Sequence, residues 1–289
     1  MLKQGVLIIA IGHPYYGRMA FNLAKTIKAV DKNMSIQVVV NESSLNHISH
    51  KDLWVFDYIT YTDIINGFEC KLHADNLSKF ENTLLIDADC AWVNLLSPSN
   101  LFNTLSGCTF TGITEGYFDP KVPQASEVHP KYYFWADIDE IISKYGLTNI
   151  IFQWRSEFIY FEKCDWVKVM FDVAREVYQD APQRLKSIKL FAHHVPDELA
   201  LNIAASTCNI RPHKYKWQPS FWHRINPGYS TVEQLMSKYY VLSCGSNVTE
   251  MNIKKIYDRI VKAASYKLGM QHIFPLISKR EMMPARQQM

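Results

Sequence analysis

The stretch Leu84-Leu85-Ile86-Asp87-Ala88-Asp89 decides how this chain is read. Three apolar residues run directly into two aspartates separated by one residue. A short apolar run without alternation is the pattern of a strand buried on both faces, as in a parallel sheet. Asp87 and Asp89 then stand where that strand leaves the sheet, at the edge where open α/β sheets bind ligands. In extended chain, residues two apart point to the same side, so the two carboxylates can converge on one cation. Hard oxygen donors suit Mg²⁺ or Mn²⁺, and such a cation suits a diphosphate. A strand end with an Asx turn, in which the aspartates only cap backbone groups, has the same local pattern.

Working outward, strand and helix signals alternate. Gly5–Gly12 reads as a buried strand, followed by the turn His13–Gly17 and a helix with Phe21, Ala24, Ile27 and Val30 on one face. Ile36–Val40 and Phe56–Tyr61 read as the next two strands, and a helix over about 68–80 precedes Leu84. Cys108–Ile113 and Phe158–Lys163 are further strands. A helix starting at Asp165 turns Val169, Val173, Ala174 and Val177 inward, and a short helix covers Asp197–Ala205. This order predicts a single α/β domain of Rossmann-like type over residues 1–245, with a mostly parallel central sheet and right-handed crossovers. Residues 114–135 and Ile210–Tyr229 read as loops. The remainder, 246–289, reads as a basic amphipathic helix and tail. Ile253, Ile256, Ile260, Ala264 and Leu268 form its apolar face, and Lys254, Lys255, Arg259, Lys262 and Lys267 fall elsewhere.

Composition sets wider bounds. With 289 residues, 48% hydrophobic and 20% charged, the chain can bury a large core. Six scattered cysteines form no Cys-x-x-Cys pair, which suits isolated thiols in a reducing cytosol. No stretch is long enough to span a bilayer. The expected location is cytoplasmic, including the periphery of a membrane or an infected host cell. The net charge of +3 hides an asymmetry: Arg211–Met289 carries 13 Lys/Arg against 4 Asp/Glu, which leaves 18 against 24 in the preceding 210 residues. A basic end on an acidic body suits contact with an anionic surface.

Three further places carry chemistry. Gly12, His13, Tyr15 and Tyr16 precede a helix N-terminus, where aromatic rings can stack on a base and the helix start favours an anion. They match neither the dinucleotide nor the P-loop glycine pattern. Asp197 and Glu198 open a helix. There an aspartate can be an N-cap, and Glu198 a base, a nucleophile or an acceptor clamp. His223 and Arg224 lie in a Trp- and Pro-rich loop, where the imidazole can complete a metal site begun by Asp87 and Asp89 and the guanidinium can meet a phosphate.

In this order the segments resemble a GT-A-fold nucleotide-sugar glycosyltransferase, nearest to glycosyltransferase family eight and related bacterial and phage enzymes. Gly5–Gly12 with Tyr15 and Tyr16 resembles the family's first strand and nucleoside-binding loop. Lys71 resembles a basic residue near the nucleotide, and Leu84–Asp89 the Asp-x-Asp motif. Asp197, Glu198, Leu201 and Asn202 resemble the downstream acidic helix, and His223 the late metal-binding histidine. The resemblance implies a Mn²⁺ or Mg²⁺ cofactor held by Asp87, Asp89 and His223. It further implies a nucleotide-sugar donor, UDP-sugar favoured, bound by Gly12, His13, Tyr15, Tyr16, Lys71, Asp87 and Ala88. The acceptor would be a hydroxyl of a glycan or of a modified DNA base.

Two departures stand out. Gln153, Trp154 and Arg155 occupy the place of the family's Asn-x-Gly sugar contacts, and no lysine follows His223 at the family's spacing, which leaves Arg224 as a substitute. The competing reading is a haloacid-dehalogenase-type phosphatase, with Asp87 as nucleophile and Asp89 as acid/base. Ala91 stands where that family has Thr or Val, and its late acidic pair ends a strand rather than opening a helix.

Overall fold

The computed structural model describes residues 2–48, 50–123, 126, 134–213, 222–224, 232–243, 251–269 and 273. In chain order the elements are β1 (Leu2–Ala10), α1 (Tyr15–Val30), β2 (Ile36–Val40), α2 (Glu42–Leu45), β3 (Tyr58–Tyr61), α3 (Gly67–Lys71) and α4 (Ala74–Leu77). There follow β4 (Phe80–Asp87), β5 (Cys90–Trp92), α5 (Pro98–Thr104), β6 (Phe110–Phe118), α6 (Ile138–Tyr145), β7 (Ile151–Glu162) and α7 (Asp165–Arg184). The last are α8 (Asp197–Thr207), β8 (Trp222–Arg224), α9 (Val232–Lys238), β9 (Val241–Ser243) and α10 (Met251–Lys267). A central sheet runs β3-β2-β1-β4-β7-β6, and a small second sheet runs β5-β9-β8. In the central sheet β2 pairs with β3 in parallel and β6 with β7 antiparallel, so the sheet is mixed.

The chain divides into two compact units. The first comprises residues 1–7, 64–85 and 106–214, and the second 8–63, 86–105 and 215–289. In the first, β7 is buried along nearly its whole length. Helix α7 turns Val167, Met170, Phe171, Ala174, Val177 and Ala181 inward, the three-to-four-residue spacing of one helix face. Val169, expected inward, is 51% exposed: the stripe is centred on Met170 and Phe171 instead. The single helix expected over 68–80 is two short ones. The Arg175 guanidinium donates to the Leu72 carbonyl at 2.6 Å and to Asp75 at 2.8 Å, tying this segment to α7.

In the second unit all five residues of β2 are buried, and α1 buries Met19, Leu23, Ala24 and Ile27. Gly12 has φ of 103°, a left-handed backbone that favours glycine. Gly17 lies so close to α2 that a Cβ would come within 2.1 Å of the Ser44 carbonyl oxygen. Helix α10 docks on α1 through the buried Tyr257, whose hydroxyl accepts from Asn22 Nδ2 at 3.3 Å and donates to the Met19 carbonyl at 3.4 Å. Lys254, expected on the outer face of that helix, is 8% exposed, because Lys254, Tyr257, Val261 and Ala264 share the docked side.

Other boundaries differ from expectation. β6 extends through Phe118, into what reads as loop, and β7 begins at Ile151, seven residues before its expected start. Trp222–Arg224 is a strand within the expected loop. Most of 124–133 and of 214–231 lies outside the described residues. Cys70, Cys90, Cys108, Cys164 and Cys208 are free thiols. None of the described helices is long and apolar enough to cross a membrane.

Candidate active site

In the second unit, β4 ends on Asp87, and Ala88 and Asp89 form the turn into β5. Ala88 is 2% and Asp89 4% exposed, while Asp87 is half-buried. Strand β5 is one edge of the small sheet whose other edge carries His223. Ala91 stands opposite Leu242, and Leu242 opposite His223. The backbone therefore brings the His223 strand into the sheet that continues directly from the two aspartates. The side chains of His223 and Arg224 lie outside the described residues.

Among the described residues no group of three His, Cys, Asp or Glu side chains is assembled to hold a metal. Two carboxylates one residue apart still fit Mg²⁺ or Mn²⁺. Mg²⁺ in particular is commonly held by one or two carboxylates together with substrate phosphates and water, not by a closed protein cage.

At the start of α1, His13 Nδ1 accepts the Tyr15 backbone N–H at 3.2 Å. Rings and cations surround Tyr15: His13 at 4.9 Å and His47 edge-on at 6.3 Å, with Lys254 Nζ 4.4 Å and Arg18 Cζ 6.0 Å from the Tyr15 centroid. Burial, Lys254 and His47 together hold the His13 imidazole below its ordinary value, and burial and Arg18 do the same to His47. Both shifts favour the neutral ring. Tyr16 lies in the same helical turn, its ring edge-on to His13 at 6.4 Å.

The first unit holds the acidic helix start. Asp197 and Glu198 open α8 and are 2% and 8% exposed. Lys71, expected near a nucleotide, places Nζ 3.1 Å from Asp197 Oδ2 and 3.2 Å from Ser156 Oγ. Glu198 Oε1 accepts from Arg155 Nη1 at 3.1 Å, and Oε2 from Trp135 Nε1 at 2.7 Å. Arg155 also meets Glu115. Burial opposes the guanidinium charge, but Glu198, Glu115 and Glu157 outweigh it and raise the Arg155 pKa.

Glu115 lies within a register shift of the β6–β7 ladder, between the paired Thr114 and Tyr117, where an irregularity re-aims side chains. Trp135 has φ of 65°, a left-handed backbone for a bulky residue, at the point where its indole reaches Glu198. Gln153 is buried, and Trp154 is 1% exposed, packed edge-on to Phe110 and Phe152. Trp154 is therefore a core residue rather than a sugar contact, because both faces of β7 are covered.

Glu115, Trp135 and Ser156 belong to the acidic cluster and Lys254 to the Tyr15 cluster, and no motif of the sequence singles them out.

The six-stranded mixed sheet flanked by helices has the GT-A type of glycosyltransferase fold. The solved structures bear this out. Apo WbbM, a bifunctional glycosyltransferase, matches with TM-score 0.56 and 11% identity over 93% of this chain and 51% of its own. An active-site mutant of LgtC matches with TM-score 0.52 and 12% identity, over 90% of this chain and 95% of its own. The galactosyltransferase LgtC with donor and acceptor sugar analogues gives TM-score 0.52 and 12% identity, over 94% and 98%. This chain thus spans about half of WbbM and nearly all of LgtC. No protein-family model and no curated protein matches the sequence.

Proposed function

We propose that the chain is a metal-dependent glycosyltransferase that moves a hexose-type sugar from a nucleoside diphosphate donor, UDP-sugar favoured, to a hydroxyl acceptor. One observation carries the reading. The Asp87–Asp89 turn leads straight into the strand whose sheet contains His223. That is the arrangement expected of a cation site completed by the donor's own phosphates. The likeness in fold to WbbM and LgtC supports it.

Asp87, Asp89 and His223 are assigned to Mn²⁺ or Mg²⁺, which when bound would neutralise the diphosphate leaving group. Gly12, His13, Tyr15, Tyr16 and Ala88 are assigned to the nucleoside side. Because His13 Nδ1 accepts the Tyr15 N–H, its neutral ring carries the proton on Nε2 and offers a donor there. Tyr15 presents an aromatic surface for a base.

Lys71 pairs with Asp197, and Arg155 and Trp135 donate to Glu198. Held in place by these partners, the two carboxylates present fixed negative charge toward a sugar carbon that becomes cationic as the leaving group departs. Arg155 orients the Glu198 charge, Gln153 is assigned to the sugar or acceptor, and Arg224 is assigned to a phosphate. Lys71 serves Asp197 rather than the nucleotide. The acceptor is a glycan or a DNA base, and the exposed Lys255, Arg259, Lys262 and Lys267 of α10 suit an anionic acceptor or surface.

The test is isothermal titration with UDP, with and without Mn²⁺, followed by a panel of sugar nucleotides scored for slow hydrolysis. Mn²⁺-dependent UDP binding that Asp89→Asn abolishes, with melting unchanged, is expected. Absence of binding or turnover with every donor overturns the proposal, and labelling of Asp87 by beryllofluoride would replace it with the phosphatase.

A further inference from the structure

We infer that Lys254, on the C-terminal helix α10, is a positioning residue of the nucleoside-binding turn, fixing the Tyr15 ring and making α10 a part of the donor site. The inference rests on the glycosyltransferase reading for its ligand, but its geometry stands independently.

Lys254 is 8% exposed, yet among the described residues its ammonium meets no carboxylate. Its partners are the Tyr15 hydroxyl at 3.2 Å and the Tyr15 ring, 4.4 Å from Nζ to centroid. A buried ammonium held by a phenol oxygen and a π-face is costly to keep, and a lysine that only packed a helix would send its head to water. The surroundings repeat the sign, since Arg18 lies 6.0 Å from the same centroid.

Helix register explains how a residue 239 positions away reaches this turn. Tyr257 docks against Met19 and Asn22 of α1. One turn back along both helices, Lys254 therefore meets Tyr15.

Lys254 also acts on His13. The groups facing that ring are Lys254 from α10, His47 from beyond α2, and Tyr15 and Tyr16 from α1, with Arg18 beside Tyr15. Protonation of His13 at Nδ1 would replace an acceptor by a donor and break the Tyr15 N–H bond that shapes the turn. A fixed positive charge nearby opposes that protonation. One lysine thus holds both the ring and the turn.

The experiment compares wild type, Lys254→Met and Lys254→Arg as full chains. Two readouts are taken: the His13 ring titration by NMR with labelled histidine, and UDP affinity with Mn²⁺ at pH 8 and pH 6. Lys254→Met is expected to raise the His13 pKa and to weaken UDP binding about five- to ten-fold, more at pH 6 than at pH 8. Lys254→Arg should restore both, and kcat for donor hydrolysis should stay near wild type while KM rises. Should the Met variant fail to fold, Lys254→Gln takes its place.

If the variants bind UDP as tightly as a wild type that itself binds UDP, the inference is overturned and the donor reading survives. If wild type binds no nucleotide while His13 still shifts, the donor reading fails and takes the role of Lys254 in binding with it.

Discussion

Lys71 Nζ and Asp197 Oδ2 lie 3.1 Å apart with side chains only 11% and 3% exposed, so the acidic start of α8 is held by a buried ion pair from α3. Removing one partner from such a pair leaves an uncompensated buried charge and costs roughly 3–5 kcal/mol. Lys71→Met and Asp197→Asn are each expected to lower the unfolding free energy measured in urea by that order. The double variant should lose less than the two single losses combined, because both charges leave together. Additive losses in the double-mutant cycle would show that the pair is not coupled.

A second prediction concerns the neighbouring carboxylate. Glu198 accepts from both Arg155 and Trp135, so a glutamine there must turn its NH₂ toward one of two donors. Glu198→Gln is expected to lower kcat for sugar transfer by about 10²–10³, the range for loss of a preorganised electrostatic group. UDP affinity should hold within about two-fold, since a group acting only at the sugar leaves ground-state nucleotide binding untouched. Arg155→Lys should move kcat the same way, because a point charge cannot bridge Glu115 and Glu198 as a planar guanidinium does. A collapse of UDP binding in Glu198→Gln would move this carboxylate to the nucleotide.

How much of this is legible in the chain depends on sequence distance. The bounds of β2, Ile36–Val40, match their expectation because five consecutive buried residues leave no ambiguity of face. The start of α7 at Asp165 is legible too, but its inward face differs by one position at Val169. Two outward apolar residues, Trp166 and Val169, blur the period there. The Asp-x-Asp turn is local and can be read outright. The acidic network cannot, because Arg155 lies 40 residues from Glu115 and Trp135 lies 63 from Glu198. The register shift that aims Glu115 and the left-handed backbone of Trp135 leave no periodic trace. Lys254 reads as outward for a different reason: a lysine counts as polar by default, and only the docked Tyr257 reveals which face it shares.

The outward face of α10 gives a third prediction. Lys255, Arg259, Lys262 and Lys267 are exposed, whereas Lys254 is not. If the acceptor is nucleic acid, its affinity should fall with salt, and changing Lys255, Arg259 and Lys262 to Gln should reduce the log–log slope by about 0.9 for each duplex phosphate no longer neutralised. For an anionic lipid surface, vesicle co-sedimentation should weaken in the same variant. Melting temperature should not change, since exposed charges contribute little to stability. An unchanged salt slope together with unchanged sedimentation would remove this face from acceptor binding.

Stability should also depend on pH in a defined direction. His13, His47 and His73 all have pKa values below the ordinary 6.5, with burial the largest cause in each. The unfolded chain takes up these protons near 6.5, whereas the folded chain resists until the pH is lower. Between those limits the unfolded state binds more protons, so stability falls as the pH drops below about 6.5. Above that range all three rings are neutral in both states and contribute no slope. Urea midpoints measured from about pH 8 to about pH 5.5 should therefore be flat at first and then decline, before carboxylate titration adds its own effect near about pH 4. Replacing the three histidines with glutamine should flatten the decline. A wild-type midpoint that rises on acidification through this window would reverse the sign and show that the folded protein, not the unfolded chain, holds these protons more tightly.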